Sequence, residues 1–341
     1  MSLVLKNDFL NKKSLVSEIG PAFSCSRAVA NATYYDSNGV LQTADANTGR
    51  FNHNPLTLAP RGLMTEPPRE NLLLNSGVPV TQSVTVAAVA HSISVFGTGS
   101  ITLTGTGSGT ATEGNPLTFT PTAGTLTVTI TGSLDRFQLE EGAFATSWVE
   151  TFGTSVERNG DVVDLSDMSF VRYEEGILYG HFEQDVDDAA SYSPFSLDSG
   201  FSTSRLASQR LNTVQGRLQH VASGSTLNLQ ISETFWGKGK SPRLVLAYAL
   251  NDIEFYANEL RAGTGDQSQP ILNSALPMVK LRIGLSYAGG TGIMAMHTKE
   301  VRYYDNRFTP AEEAAMGLGV FPAFNTISIG FHKIGQMGRA Q

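Results

Sequence analysis

The stretch that decides the fold class is SISVFGTGSITLTGTGSGTATEGNPLTFTPTAGTLTVTITG, from Ser92 to Gly132. Apolar Ile, Leu, Val and Phe alternate in it with Ser and Thr, and this two-residue period is typical of half-buried strands. Glycine pairs and a Gly-Asn-Pro sequence interrupt the alternation at short intervals, as the turns of a β-sandwich do. The stretch therefore predicts an antiparallel sandwich, in which turns rather than disorder explain the low-complexity composition.

A second strand-rich block follows Gly153. Its strand candidates are Gly176–Gln184, Ser225–Ser232, Arg243–Leu250, Ile253–Leu260 and Met278–Ser286. Asn251-Asp252 is predicted to be a hairpin turn, because Asn and Asp tolerate positive φ. One short helix is predicted in TPAEEAAMG, with Thr309 as N-cap, Glu312 completing a capping box and Gly317 at its end.

Composition excludes several function classes. A chain of 341 residues has room for two or three domains, and a net charge of -7 without a basic run argues against a nucleic-acid partner. The single cysteine, Cys25, rules out an intramolecular disulfide. Neither a signal peptide nor an apolar stretch of about 20 residues is present, so we expect a chain made in a cytoplasm without membrane insertion.

Motifs of catalysis are weak, and the sequence predicts that the protein is not an enzyme. There is no Gly-x-Ser-x-Gly elbow. Glu140 and Glu141 are adjacent, so in a strand they point to opposite faces and cannot flank one glycosidic bond. The GKGKS sequence from Gly237 to Ser241 has Thr234 where a phosphate loop needs glycine, which predicts a solvated turn instead.

Four short motifs follow one another in the first half of the chain. They are Tyr-Asp-x-x-Gly-x-Leu (Tyr35–Leu41), Arg-Phe-x-His-x-Pro (Arg50–Pro55), Asn-Leu-Leu-x-x-Ser (Asn71–Ser76) and Gln-Leu-Glu-x-Gly-x-x-Ala-Thr-Ser (Gln138–Ser147). In order and spacing this string resembles a group of bacteriophage and prophage virion proteins of the tail-fibre, head-spike or minor structural type. The chain beyond residue 153 is similar to concanavalin-like, laminin-G-type sandwiches. The motifs of this second resemblance are Arg158–Asp167, Gly176–Glu183, Leu246–Leu260 and Val301–Met316.

The two resemblances imply an all-β fold with two antiparallel β-sandwiches and extended docking segments at both ends. Residues 1–60 are expected to form an N-terminal virion-docking arm. Residues 61–152 are expected to form a jelly-roll-like sandwich, and residues 153–317 a laminin-G/concanavalin-like sandwich. Residues 318–341 are then a C-terminal docking tail.

The implied function is that of a virion structural protein, a head spike, head fibre, decoration protein or tail-fibre component. It would dock on the particle and aid adhesion to host surface glycans, after synthesis in the cytoplasm of the host bacterium. Its partners would be other capsid or tail proteins and copies of itself, a trimer among the options. Two alternatives stay open: a glycan depolymerase, which needs two carboxylates about 5 to 9.5 Å apart in a groove, and capsid decoration without a ligand, which predicts ungrooved surfaces.

Aromatic residues are the candidates for contacts, because a ring can be buried while its polar edge stays wet. The virion-docking candidates are Tyr34, Tyr35 and Phe51. Rings in or beside the loops of the second sandwich are the ligand-binding candidates, namely Trp236, Tyr192, Phe195 and Phe201. Trp148 is predicted to be a core or interface anchor.

No cofactor is expected, with calcium as the one candidate. Carboxylates are the ligands that calcium prefers, and the acidic run after Glu183 offers several of them. The candidate metal ligands are Asp185, Asp187 and Asp188. The alternative is a solvated strand end.

Overall fold

Antiparallel strands make up nearly all of the regular structure. The computed structural model describes residues 2–186, 192–200, 204–212, 215–222, 225–232, 237–262, 265–266, 277–285 and 292–322. No helix among these residues is long and apolar enough to span a membrane.

In the first half of the chain the strands are β1 (Leu3–Asp8), β2 (Ser24–Ser26), β3 (Ala32–Tyr35), β4 (Leu41–Ala44), β5 (Arg50–His53), β6 (Pro60–Thr65), β7 (Arg69–Asn71), β8 (Gln82–Val86), β9 (His91–Phe96), β10 (Gly99–Gly105), β11 (Gly109–Thr112), β12 (Leu117–Phe119), β13 (Gly124–Gly132), β14 (Arg136–Glu141), β15 (Val156–Arg158) and β16 (Val162–Leu165). The remaining elements are β17 (Glu175–Gln184), β18 (Phe195–Asp198), β19 (Ser204–Arg210), β20 (Gln215–Ala222), β21 (Ser225–Ser232), β22 (Arg243–Ala249), β23 (Asp252–Ala257), β24 (Leu260–Arg261), β25 (Gly265–Asp266), β26 (Lys280–Ile283), β27 (Met296–Tyr304) and the helix α1 (Pro310–Gly317).

The first sandwich is built mainly from the alternating stretch Ser92–Gly132, with β8 before it and β14 after it. One sheet has the order β11-β10-β13-β8 and the other β12-β9-β14. Ile101 pairs with Ile130 and Leu103 with Val128, so the register places apolar side chains on one face. Ile93 on the other sheet packs into the same buried cluster. The predicted antiparallel sandwich is confirmed.

The second sandwich is larger. Its first sheet has the order β24-β23-β22-β17-β27-β6-β5, with β1 beside β27 and β25 beside β23. Its second sheet has the order β2-β16-β26-β18-β19-β20-β21. Leu178 and Leu246 from the first sheet pack in one core with Leu197 and Leu281 from the second. The all-β class with antiparallel sandwiches is therefore confirmed for both blocks.

The N-terminal 60 residues are not a separate arm, which corrects the expected domain division. Leu5 pairs with Tyr303, and Cys25 with Val163. Leu5, Phe9 and Cys25 are buried in the core of the second sandwich. The prediction failed because the short apolar runs around these residues pair with strands far along the chain. These apolar residues therefore bury surface in a core, which residues 31–55 alone have too few aliphatic side chains to do.

The first sandwich is consequently an insertion in the second. The strand β6, assigned by the sequence to the first sandwich, belongs to the large sheet, and β15 returns the chain to the second sandwich. The strand β7, which follows β6, pairs with β15 as a two-stranded ribbon through Glu70 and Glu157. The chain thus enters and leaves the insertion side by side.

The helix α1 forms as predicted, from its N-cap at Thr309 to Gly317 at its C-terminal end. Thr309 caps it, and the capping box with Glu312 is present. Gly317 is the last residue of the helix, and a Cβ there would come within 1.4 Å of the carbonyl oxygen of Asn258. Close approach to the β23–β24 turn, not helix termination, thus requires glycine at this position.

The expected C-terminal docking tail is described only at its beginning. Phe321 packs edge-on against Tyr179, with ring centroids 5.0 Å apart, and the guanidinium of Arg302 lies 3.4 Å from its ring centroid. These first tail residues therefore contact the second sandwich of their own chain. Residues 323–341 lie outside the described part of the chain.

Candidate functional site

A cavity of about 360 Å³ lies where the two sandwiches and the β3–β4 hairpin meet. We call it the junction cavity. The first sandwich and the hairpin contribute Thr33, Tyr34, Tyr35, Leu41, Phe96 and the segment Ala145–Trp148. The second sandwich contributes Asn52, Arg61, Met64, Glu66, Gln184, Asp185, Lys238, Gly239, Ala295 and His297. All the Tyr, Phe and Trp residues of the lining thus come from the first group, and all its charged residues come from the second.

The hairpin holds two of the rings. The carboxylate of Asp36 accepts hydrogen bonds from the backbone N–H groups of Asn38 and Val40, at 2.8 and 2.9 Å, and Gly39 adopts a φ of 74°. These contacts explain the Tyr-Asp-x-x-Gly-x-Leu motif, since aspartate bonds its own turn and glycine tolerates positive φ. The fixed turn presents Tyr34 and Tyr35 of β3 to the cavity.

Trp148 is the deepest ring of the aromatic wall, with only 9% of its surface exposed. Its backbone carbonyl accepts a hydrogen bond of 2.6 Å from Thr33 Oγ1, which ties the first sandwich to the hairpin. The guanidinium of Arg136 lies over Trp148 and Phe96, 5.5 and 4.8 Å from their ring centroids. The prediction that Trp148 anchors an interface fits this position between two structural units.

A chain of hydrogen bonds orients the polar wall. Asn52 Oδ1 accepts from the backbone N–H of Tyr35 at 2.8 Å, so its Nδ2 faces His297 Nε2 as donor at 2.9 Å. His297 therefore carries its proton on Nδ1, which lies 2.8 Å from Asp185 Oδ2. Arg61 bonds the other oxygen of Asp185, at 2.5 Å. These contacts thus orient the side chains of Asn52, His297, Asp185 and Arg61.

Asp185 and its neighbour Glu183 are held as carboxylates. Burial alone would raise the pKa of Asp185, but His297 and Arg61 outweigh burial and lower it. Arg61 and Lys299 lower the pKa of Glu183 in the same way against the effect of burial. Asp185 is therefore an acceptor for ligand hydroxyl groups rather than a proton donor.

The calcium candidates are only partly described. Glu183, Asp185 and His297 bring ligand atoms within 4.8 Å of one another. However, the guanidinium of Arg61 already bonds both carboxylates, and imidazole suits zinc better than calcium. Asp187 and Asp188 lie outside the described residues, so a calcium site there stays a prediction.

Beneath the cavity lies a buried group of charges that we call the junction ion cluster. It consists of Arg27, Arg50, Glu66, Arg158 and Asp161, all nearly inaccessible to water. Arg27 pairs with Asp161 at 2.6 Å, Arg50 with both acids, and Arg158 with Glu66 at 3.3 Å. Glu66 is shared with the cavity lining. The cluster therefore forms the floor of the cavity, beneath its aromatic and polar walls.

Sequence reasoning missed this cluster, although its members occur in or beside the recurring motifs. Arg50 begins the Arg-Phe-x-His-x-Pro motif, and Ser147 ends the Ala-Thr-Ser motif. Ser147 donates to Glu66 from its backbone N–H at 2.8 Å and from its hydroxyl at 2.5 Å. Arg158 and Asp161 both lie in the Arg-Asn-Gly-Asp sequence. The available signal was the presence of Arg50, Arg158 and Asp161 within these motifs.

The aromatic candidates on the second sandwich do not form a site among the described residues. Phe195 is fully buried against Phe182, with ring centroids 5.5 Å apart, so its role as a ligand-stacking ring was predicted wrongly. It failed because Phe195 begins β18, a strand whose residues are all buried. Tyr192 is half-buried beside Arg210 and does not line the cavity. Trp236 and Phe201 lie outside the described residues.

The three predicted docking residues have separate positions. Tyr34 and Tyr35 line the junction cavity, whereas Phe51 packs against the core of the second sandwich. The GKGKS sequence forms a turn, as predicted, with Gly239 at a φ of 75°. Lys238 and Gly239 of this turn line the cavity, a position that the sequence did not predict.

No protein-family model and no curated protein matches the sequence. Solved structures do match. The CBM40 of the Ruminococcus gnavus IT-sialidase, bound to α2,3-sialyllactose, is 14% identical with a TM-score of 0.38, covering 45% of this chain and 90% of that chain. The K499G mutant of the NanB sialidase from Streptococcus pneumoniae is 14% identical with a TM-score of 0.36, covering 43% and 25%. A leech intramolecular trans-sialidase complexed with 2,7-anhydro-Neu5Ac is 13% identical with a TM-score of 0.36, covering 45% and 24%.

The comparison contradicts the expectation that the protein is not an enzyme, because the matched structures include sialidases and trans-sialidases. That expectation is therefore withdrawn. This chain spans about a quarter of the NanB and leech proteins. With identities and TM-scores this low, the likeness carries no argument about which ligand or reaction belongs to this chain.

Proposed function

We propose that this protein binds a glycan in the junction cavity and does so on the surface of a bacteriophage particle. The observation that carries the first half is the convergence of Tyr34, Tyr35, Phe96 and Trp148 on one cavity whose remaining lining is largely polar. Sugar rings have apolar faces and hydroxylated edges, and a site for them needs both kinds of surface.

The size and chemistry of the cavity suit a small saccharide. A volume of about 360 Å³ falls in the lower part of the range for small-molecule sites, about 300–1,000 Å³. Gln184 and the Asn52 amide offer donors and acceptors, and the carboxylate of Asp185 accepts hydroxyl protons. The rings supply large contact area at a low cost in conformational entropy.

The site is also preorganised. Asn52, His297, Asp185 and Arg61 hold one another by hydrogen bonds and ion pairs of 2.5 to 2.9 Å, so a ligand need not order them. A ligand that fills the cavity would contact both sandwiches at once. The alternative of decoration without a ligand predicts ungrooved surfaces, and the cavity favours ligand binding over it.

The virion setting rests on the resemblance of the ordered motifs, from Tyr35–Leu41 to Gln138–Ser147, to phage virion proteins. In that setting the chain is made in the host bacterial cytoplasm and joins other capsid or tail proteins, as a homo-oligomer. Docking by a free arm of residues 1–60 is not part of the proposal, because those residues belong to the second sandwich. The segment from residue 318 onward keeps the proposed docking role.

Glycan-array binding by the full chain tests the cavity. Tyr34→Ala and Tyr35→Ala should each weaken binding at least about fivefold, as expected for a central aromatic contact. Tyr192→Ala is the matched control, because Tyr192 is half-buried but lies outside the cavity. Thermal melting confirms that each variant is folded. Unchanged binding by both cavity variants, or no bound glycan for the wild type, would overturn the proposal.

The proposal that the protein is part of a phage particle needs a separate measurement. Particles purified from the source phage or induced prophage should contain the full chain at a fixed ratio to the major capsid protein, measured by quantitative mass spectrometry. A chain that stays entirely in the soluble lysate fraction would remove the virion setting. That result would leave glycan binding in the cavity unaffected.

A further inference from the structure

Arg136 has an unusual position beside the junction cavity. It begins β14, where it pairs with Phe96 of β9, and its side chain is half-buried. The guanidinium lies between the rings of Phe96 and Trp148, and its Nη2 lies 3.4 Å from the hydroxyl of Tyr35. All three of these aromatic residues line the cavity. Arg136 is therefore held at the aromatic wall by rings rather than by acids.

Arg136 has no acidic partner among the described residues. None of the carboxylates in the described part of the chain lies within ion-pair distance of it, and its Nε is buried without a hydrogen-bond partner there. This differs from the other arginines near the cavity, since Arg61 bonds Glu183 and Asp185, and Arg50 bonds Glu66. A half-buried guanidinium without a counter-ion is costly, and stacking on rings offsets only part of that cost.

The acids of the cavity are already neutralised. Glu66 pairs with Arg50 and Arg158, and Asp185 pairs with Arg61 and His297. Arg136 therefore adds a positive charge beside the cavity that no described carboxylate offsets, although the whole chain has a net charge of -7. Such a local excess of positive charge favours a negatively charged group on the ligand.

We infer that the ligand of the junction cavity is an acidic saccharide, and that Arg136 binds its carboxylate while the neighbouring rings contact the sugar. This inference rests on the proposed glycan binding and adds its chemical class. A carboxylate is planar and matches the fork of a guanidinium, which gives two parallel hydrogen bonds. Stacking leaves the edge of the guanidinium, where its N–H donors lie, for such a contact.

The test compares matched saccharides on one array. It pairs uronic-acid oligosaccharides with the neutral oligosaccharides that have a hydroxymethyl group in place of each carboxylate, and adds sulfated versions of the neutral set. The full wild-type chain should bind the carboxylate set at least about tenfold more tightly than the neutral set, as one charge-assisted hydrogen-bonded pair provides. That preference should fall as the salt concentration rises.

Two variants assign the preference to Arg136. Arg136→Gln should bind acidic and neutral saccharides with equal affinity, and Arg136→Lys should keep part of the preference for acidic ones. Equal binding of both sets by the wild type, a preference only for sulfated saccharides, or an undiminished preference in Arg136→Gln would overturn the inference while leaving glycan binding standing. No binding to any saccharide would overturn the proposed function and the inference together.

Discussion

Nη1 of Arg50 lies 2.8 Å from Oε2 of Glu66 at the floor of the junction cavity, where both side chains are buried. A buried carboxylate is tolerated only when it is paired, because its desolvation is otherwise uncompensated. Burial would by itself raise the pKa of Glu66, but Arg158 and Arg50 outweigh it and lower the pKa to about 2. The ion pair therefore makes the stability of this junction depend on pH.

We predict that acid removes the contribution of Glu66. Its pKa falls from an ordinary value of 4.5 to about 2 on folding, so the stabilisation is fully present above pH 4.5 and is lost as the pH falls toward 2. Glu66→Gln should lower the free energy of unfolding at pH 7 by about 3 kcal/mol, since it leaves Arg50 and Arg158 underpaired. Urea denaturation at pH 7 and at pH 2 measures this. The deficit should be small at the lower pH.

The exposed Glu113 provides the control for this experiment. Glu113→Gln should leave the urea midpoint unchanged at both pH values, because an exposed carboxylate is screened by water. A Glu66→Gln deficit of the same size at pH 7 and pH 2 would show that lost packing, not lost charge, explains it.

The N-terminal residues should be essential for the second sandwich. Phe9 is fully buried, with its ring centroid 5.5 Å from that of Phe23. Phe9→Ala should therefore lower the free energy of unfolding by about 3–5 kcal/mol. Val16→Ala, at a side chain that is 68% exposed, should change it by less than about 0.5 kcal/mol. If Phe9→Ala melts like the wild type, the N-terminal segment is an independent arm after all.

Gly317 should not tolerate a side chain. A Cβ at this position would lie 1.4 Å from the carbonyl oxygen of Asn258, so α1 must shift away from the β23–β24 turn. Gly317→Ala should lower the free energy of unfolding by about 1–3 kcal/mol, as overpacking does. Gly153→Ala serves as the control, because nothing lies within 4 Å of its Cβ. Equal melting temperatures for the two variants would refute the close approach.

Arg61 should keep metal ions out of the polar wall. Its guanidinium bonds Glu183 and Asp185, whose oxygens lie near His297 in a set that could otherwise hold an ion. Arg61→Ala should therefore gain Zn²⁺ binding, detected by calorimetry and by a higher melting temperature, because zinc accepts imidazole and carboxylate ligands. Adding Asp185→Asn should abolish the gain. Zinc binding of equal strength by the wild type would contradict this explanation.

The sequence predicted the strands well wherever one face of a sheet is buried. The strands β10 and β13 alternate because their Thr side chains face outward and their apolar ones face the core. The turn at Asn251, with a φ of 63°, and the capping box of α1 were equally readable, because both depend on residues a few positions apart. Local structure of this kind is determined by residues within a few positions of one another.

The sequence could not predict what distant segments build together. Leu5 pairs with Tyr303, almost 300 positions later, and nothing in the window around Leu5 names that partner. The rings of Tyr34, Phe96 and Trp148 meet only because the first sandwich is inserted into the second. Exposure of aromatic residues was inferred from loop-like surroundings, and this placed Phe195 wrongly because a central strand begins there.

Because the β7–β15 ribbon joins it to the second sandwich, the first sandwich can be exchanged as a unit. Both strands of the ribbon run side by side at the boundary, so a different domain with closely spaced termini can replace the inserted one without changing the topology of the outer sandwich. Such an exchange would replace Phe96 and Trp148 while keeping Asp185 and His297. Two crossovers, one in β7 and one in β15, would therefore replace the cavity lining that the first sandwich supplies and keep the lining that the second supplies, a route by which related chains can acquire cavities of different chemistry.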